Sequence, residues 1–581
     1  MRLVGFGKKL IITSSVLLLI VVAGYVYLRY HFLKSKDFRP DSATAKSVLD
    51  LRPAIIAKLQ QVVKDGSDGL YALSIQQLNI DVLTSKFDAA NVSLTVDTVA
   101  MRRLDSLRKL PDDIFIIKFA RLHMDGLGIA DLINKNHVAV DSIACSEPLI
   151  EVYHKSRPYN RHERDAGDSS SLYRKIKGEA KTIKIGRIYI GHGTFIDHNG
   201  PTKNNATQFN VASIIMKDLL IDSTTQYDNN RFLFAKYTAI ESNNYLFRTP
   251  DSLYFFKVGS INVSGEQHSM VARDVELIPR EDKKRLVKDL SSIEIMYHLT
   301  FPKITLSNIN WWSMINHERF NTEAADIAGG SFDVYRDKSL PDTPFNLNNF
   351  PQQLLTRIPA PVSVRKLTIH ALNLMFEEYN PRSKESGKVF FDNINATVVN
   401  LSNMPSEIKK NNYLELAADG LFMHKVPTKA RVRFNLSKSQ KGEFTADVFM
   451  DTLDNTIINS FAEPLKLCTV TKGQMQKGIA HLTGNDLTMK ATVTFEYTDL
   501  HIDPLKEGKG DEGQLKKKFF TSLIANVFII KNRNPGKDHH LRQPTFKVER
   551  DHHSNFFSFM WDTILTGILK TTGIPVSRVL H

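Results

Sequence analysis

Six times along this chain two apolar residues sit one apart, two residues intervene, and a second apolar pair follows. The copies are Leu73-Ile75 with Leu78-Ile80, Ile117-Phe119 with Leu122-Met124, Ile183-Ile185 with Ile188-Ile190, Phe256-Val258 with Ile261-Val263, Leu299-Phe301 with Ile304-Leu306, and Val362-Val364 with Leu367-Ile369. Each half alternates with period two, the mark of a strand with one apolar face. Between the halves the phase slips by one residue, which in a straight strand would carry the second pair to the opposite face. A β-bulge or sharp bend is therefore expected near Gln76-Gln77, Ala120-Arg121, Gly186-Arg187, Gly259-Ser260, Pro302-Lys303 and Arg365-Lys366.

Successive copies start 44, 66, 73, 43 and 63 residues apart, two sets of three with nearly the same internal spacing. FARLHMDGLGIADLIN (119–134) aligns with FPKITLSNINWWSMIN (301–316), and VASIIMKDLLIDS (211–223) with FDNINATVVNLSN (391–403). The pattern implies a duplicated β unit, 70–250 and 252–450, followed by a carboxyl-terminal region, 451–581. Stacked modules of this kind bury apolar surface that one module cannot bury alone. Helices are expected at IADLINK (129–135) and around NINWWSMINHERF (308–320), and charged loops at 156–172 and 378–388.

At 581 residues one compact core is improbable. With 42% apolar and 24% charged residues the chain reads as folded rather than disordered. A net charge of +14 spread over this length does not demand a nucleic-acid or membrane partner. So few helices are expected that the apolar face needs another cover: a facing sheet, as in a sandwich, or the sheet's own curvature around a trough.

The amino-terminal stretch 10–28 (LIITSSVLLLIVVAGYVYL) carries no charge and as a helix would span about 28 Å. It reads as a retained transmembrane anchor following a short tail, 1–9, the rival being a signal peptide cut after Ala23. Flanking lysines and arginines nearly balance and do not orient it. A juxtamembrane helix over 42–65 would cover a sheet edge or lie on a membrane. At the other end, NFFSFMWDTILTGILKTTG (555–573) places Phe557, Met560, Trp561, Ile564, Leu565, Ile568 and Leu569 on one helical side, to cap a sheet or meet a membrane interface.

No catalytic, cofactor-binding or metal-binding residue emerges. Walker, dinucleotide and G-x-S-x-G motifs are missing. Cys145 and Cys468 read as free thiols, and His539-His540 and His552-His553 as surface histidines. Trp311 and Trp312 read as interior packing, because Ile129 and Ala130 take their places in the first copy. The Asn-x-Ser/Thr triplets at Asn91, Asn205, Asn262, Asn395, Asn400 and Asn435 matter only where the chain is glycosylated.

The amino-terminal span, the repeated strand modules, and the terminal segments TVTKGQMQKGIAHLTGNDLTMKATVTFEYTDLHI (469–502), LIANVFIIKNRNP (523–535) and FFSFMWDTILTGILKTTG (556–573) resemble AsmA-like proteins of Gram-negative bacteria, particularly of the Bacteroidetes type. That resemblance implies a mostly β fold: an elongated, strongly curved antiparallel β-sheet groove with an apolar interior, a transmembrane helix, and a few capping or amphipathic helices. It also implies a single-pass inner-membrane protein, 1–9 cytoplasmic and 30–581 periplasmic. The implied role is non-enzymatic, in phospholipid transport or outer-membrane biogenesis, with acyl chains in the groove and an envelope protein as partner; the alternative is an envelope scaffold with a plugged interior. Neither a cofactor nor a nucleic-acid partner is implied.

Overall fold

The computed structural model describes residues 52–81, 84–126, 137–155, 157–160, 181–199, 206–225, 228, 230–232, 234–249, 253–282, 295–317, 319–341, 347–505, 530–574 and 576. They divide into two compact units. The first holds the chain up to Arg248 with Phe256–Arg273 and Ser307–Phe320; the second holds Thr249–Phe255, Asp274–Leu306 and the chain from Asn321.

In the first unit helix α1 (Arg52–Gly66) packs on β1 (Tyr71–Asp81), which forms a hairpin with β2 (Lys86–Val96). Helix α2 (Thr98–Ser106) is capped by Asp97, whose carboxylate accepts from the amides of Val99 and Ala100. Next to β2 lies β3 (Asp113–Asp125). Its two halves pair with different strands: β4 (His137–Ser146) along Arg121–Asp125 and β5 (Leu149–His154) along Asp113–Lys118. Both β4 and β5 then run parallel to the long strand β6 (Thr182–Asn199), and β7 (Ala206–Ile221) and β8 (Ala235–Arg248) follow antiparallel.

The phase slips have a physical form. Pairing omits Gln76 opposite Asn91, and Asn91 opposite Ala120, while the register on either side is unchanged. Both strands thus skip one residue in step, whereas a bulge would set two residues against one. Asn91 sits at φ 50°, a left-handed conformation that Asn tolerates better than most residues, and its amide donates to Gln76 Oε1 at 3.0 Å. Continued through the register, the same line passes Glu147 at the β4–β5 break (φ 52°), His192 in β6 (φ 54°) and Ala212 in β7. A second line joins Asp141, Gly186 and Asp218 (φ 51°). At Gly186 a Cβ would stand 2.6 Å from the Asp141 carbonyl oxygen, so the strands approach there only because the residue is glycine. The repeated signature is the trace of strands crossing these lines: Ile183, Ile185, Ile188 and Ile190 are all buried, with Arg187 exposed between the pairs.

Strands β9 (Tyr254–Ser264), β10 (Ser269–Pro279) and β11 (Met296–Ile309), and helix α3 (Trp311–His317), follow in sequence. In β11 Pro302 and Lys303 are exposed at the expected slip, and in β9 Val258 and Val263 are buried on either side of it.

The second unit repeats the divided-strand device. Strands β12 (Phe320–Ala328) and β13 (Ser331–Asp337) both pair with the long β14 (Val362–Asn380), β13 in parallel, while β13 also pairs antiparallel with β11. Short helices α4 (Pro351–Thr356) and α5 (Pro405–Lys410) lie before β14 and after β15 (Glu385–Ser402). An antiparallel run continues through β16 (Tyr413–Phe422), β17 (Val426–Asn435) and β18 (Phe444–Met450). The short β19 (Leu453–Asp454) precedes helix α6 (Asn459–Lys466); then β20 (Cys468–Gly484) pairs with β18 and β19, β21 (Thr488–Pro504) with β20, and β22 (Thr545–Glu549) with β21. The slip at Arg365 lies opposite Asn400 (φ 61°), and shifts of register occur between Ile369 and Leu374. The loop expected at 378–388 is mostly strand, since β14 runs to Asn380 and β15 begins at Glu385.

Helix α7 (Phe556–Thr572) closes the core of this unit. Asn555 caps it by accepting from the Ser558 amide at 2.9 Å. Phe556 meets Phe350, Phe434 and Phe444 with ring centroids 5.1, 5.1 and 5.0 Å away. Trp561 meets Phe461 at 5.6 Å and Phe422 at 6.5 Å. At Gly567 a Cβ would overlap Val493 Cγ2, so the helix sits against β21 through a residue without a side chain. The buried side is shifted from the expected one: Phe556 and Phe559 are 2% exposed, whereas Phe557 is 67% exposed. Two adjacent phenylalanines let the helical phase be read one residue off.

Several expectations are corrected. The fold is mostly β with a large mixed sheet, not an antiparallel one, because β4 and β5 against β6, and β13 against β14, are parallel. The apolar pairs of the first three signatures, Ile80 excepted, are 8% exposed or less, those of the last three are mostly half-buried, and aromatic side chains fill the core of the second unit, so the antiparallel groove expected from the sequence gives way to a mixed sheet. Among the described residues no helix is long and apolar enough to cross a membrane. The longest, α7, has 17 residues and uses its apolar side for the core, while a span needs about 20. Segments 1–9 and 10–28, 42–51 of the juxtamembrane helix, the helix expected at 129–135, most of the loop at 156–172, and Asn205 lie outside the described residues. The transmembrane anchor, the single-pass inner-membrane and periplasmic placement, the membrane-lipid and envelope partners, and the transport or envelope-scaffold role built on them are therefore withdrawn.

Candidate functional site

The residues singled out in the sequence scatter. Cys145 is buried, and burial pushes its thiol up to about 12; Cys468, half-buried on β20, is pushed up to about 11 by the same cause. Trp311 packs edge-on against Phe232 at 4.8 Å and Trp312 against Phe234 at 6.5 Å. His539, His540 and His552 are exposed. Among the described residues no group of three or more His, Cys, Asp or Glu is placed to hold a metal ion. Asn91 and Asn400, two of the triplet asparagines, serve as left-handed strand residues; the Asn400 amide donates to the carbonyls of Asn411 and Tyr413 at 2.7 and 3.0 Å. A shallow recess of about 540 Å³ lies over β14–β17, where Ile369, Ala396, Ala418 and Ala430 stand in cross-strand register.

A denser constellation lies where the ends of β13 and β14 meet α6 and α7. Parallel pairing sets Arg336 beside Glu378. Glu378 is 6% exposed and receives Lys338 Nζ at 2.7 Å and Arg336 Nη1 at 3.6 Å. Its chain neighbour Glu377, also buried, faces Lys388 Nζ at 3.9 Å. Asp337 accepts from the Ser339 amide at 2.8 Å and from the Tyr335 hydroxyl at 3.4 Å. Burial, with Asp337 close by, raises the Tyr335 phenol well above its usual range. The carboxyl end of α6 brings in Lys466, and α7 brings in Asp562.

These two groups are displaced in opposite directions. Burial lowers the Lys466 ammonium, and the like charge of Lys338 lowers it further, against the pull of Asp562 and Glu378. Burial raises the Asp562 carboxyl, against the pull of Lys466, Lys338 and Arg336, with Glu378 adding to the rise. The cations on Glu378 do not lie in a fully dry interior: Lys338 is 40% exposed and Arg336 20%. Arg336 and Lys338 thus hold the buried Glu378 carboxylate from a partly exposed side, with Lys466 and Asp562 within electrostatic reach.

No protein-family model matches the chain, and no curated protein matches it.

Sequence reading missed this cluster because its parts are remote: 336–338, 378, 466 and 562 are joined only by the pairing of β13 with β14 and the docking of two helices. One signal was present. Asp562 and Lys570 are the only charged residues of α7, and Asp562 lies near the middle of its length.

Proposed function

We propose that the chain is a non-catalytic binding protein and that the cluster of Arg336, Lys338 and Lys466 takes a small ligand through an anionic group. The observation that carries this reading is the gathering of three cations from β13 and α6 about the buried Glu378, with the Lys338 and Lys466 ammoniums near enough to repel one another. An anion set between them would relieve that repulsion, and the guanidinium of Arg336 offers donors to an oxyanion.

Thermal unfolding with added sulfate tests it. A ligand that binds only the folded state raises the unfolding temperature, whereas the general salting effect of sulfate acts on any variant. Wild type is expected to gain more than the K338A/K466A double variant. Equal gains in the two would refute the site.

A further inference from the structure

Strand β22 lies at an edge of the second unit's sheet: it pairs with β21 along Thr545–Glu549, and among the described residues no strand pairs with its other side. Two hydrogen bonds flank the paired stretch and fix its phase. The Val493 amide donates to the Pro544 carbonyl at 3.1 Å, and the Arg550 amide to the Leu487 carbonyl at 2.8 Å. Bonded and unbonded pairs alternate in an antiparallel ladder, so Phe546 and Val548 turn their peptide groups toward β21, and Thr545, Lys547 and Glu549 turn theirs outward. Those three residues are exposed, and among the described residues their outward amides and carbonyls have no hydrogen-bond partner. Lys547 stands directly opposite Lys490 of β21, and neither Lys547 nor Glu549 makes an ion pair among the described residues. Like charges directly opposite repel. The edge therefore offers a row of free donors and acceptors, together with a lysine whose own sheet supplies no counter-charge.

We propose that β22 pairs with β22 of a second copy of this chain, antiparallel and centred on Val548, so that the sheet of one second unit continues into that of another. The occupant follows from charge. Outward residues bond only with outward residues, so the two-fold registers differ by the residue at their centre. Centred on Lys547 or on Glu549, like charges meet. Centred on Phe546, Lys547 meets Thr545 and Glu549 meets Gln543. Centred on Val548, Lys547 of each copy meets Glu549 of the other, and the two Val548 residues face each other as the close, unbonded pair. A lysine on an edge discourages strand addition by itself; with Glu549 two residues on, it disfavours every other register of self-pairing. The contact adds about four backbone hydrogen bonds and an ion pair on each side of the axis, the small interface of a weak, reversible dimer.

Sedimentation of the full chain at low salt, over about 1 to 200 µM, tests this. Wild type is expected to pass from monomer to dimer across that range. K547E and E549K each set like charges face to face and should dimerise about tenfold more weakly, or worse. The double variant K547E/E549K restores the match and should recover wild-type behaviour, and an equimolar mixture of the two single variants should form the mixed dimer. K547P removes an amide that points away from β21, a place where a strand tolerates proline, and should abolish the dimer while leaving the fold intact by circular dichroism. Wild type that stays monomeric throughout refutes the second copy as occupant. A wild-type dimer that K547E, E549K and K547P all leave unchanged belongs to another surface and overturns the proposal. So does a double variant as weak as the single ones, because the pairing of Lys547 with Glu549 would then be wrong.

Discussion

Arg550 offers the sharpest test of how the second unit is held together. Its side chain, in a residue only 3% exposed, pairs with the Asp486 carboxylate and donates to Asn349 Oδ1 at 2.5 Å and to the Ser554 carbonyl at 2.6 Å. Its guanidinium stacks over the Phe350 ring at 4.6 Å. It therefore joins the β20–β21 turn, the segment before α4 and the start of α7. Replacement by Ala leaves Asp486, 6% exposed, with the Asn348 amide at 2.7 Å as a remaining donor. Breaking a buried ion pair from one side costs about 3–5 kcal/mol, because the other charge is left uncompensated. Hydrogen exchange of the α7 amides reads this directly: about 3 kcal/mol corresponds to roughly 150-fold faster exchange where opening is limiting in equilibrium. R550M with D486N, which removes both charges and keeps the packing over Phe350, should recover much of the loss. Acceleration by less than about fivefold in R550A, the range of a surface substitution, would refute the clamp.

Three further outcomes follow from particular contacts. His123 lies between Asp88 at 2.6 Å and Asp125 at 2.8 Å, and the hydrogen bond to Asp88, then that to Asp125, raise its imidazolium above the usual range against burial. Its contribution to the first unit is thus complete below about pH 6.5 and lost as pH rises through the raised folded value; thermal unfolding from pH 5.5 to 8.5 should show this dependence, and H123Q should flatten it. Gly567→Ala should destabilise by about 1–3 kcal/mol, because the new methyl runs into Val493, measured by denaturant unfolding of the second unit. Phe556→Ala should cost about 3–5 kcal/mol and Phe557→Ser within about 0.5 kcal/mol; the reverse order in the same assay would show that the buried side of α7 is misassigned.

Much of the strand content was legible because alternation of apolar and polar residues survives any tertiary arrangement: Leu73, Ile75 and Leu78 are buried with Gln76 and Gln77 exposed between them. The phase slip was legible for the same reason. Its geometry was not, since the register is kept on both sides of Asn91 and only the pairing of three strands shows the line that they share. The divided strand β4–β5 escaped for a related reason: Glu147 and Pro148 look like an ordinary turn, and only β6, further along the chain, keeps both halves in one sheet. In α7 the helix itself was plain, but a run of two phenylalanines hid which one faces inward. The ion-pair cluster on Glu378 depends wholly on long-range contacts, so charged residues that read singly as a solvated surface come together only in the fold.

The cationic cluster is tested most directly by locating an anion in it. Wild-type crystals soaked in selenate, a sulfate analogue with an anomalous signal, are predicted to show a selenium peak between Lys338 and Lys466 within reach of Arg336, and crystals of the K338A/K466A variant to show that position without the peak. Absence of the peak in wild type, with selenate resolved elsewhere on the molecule, would contradict the account.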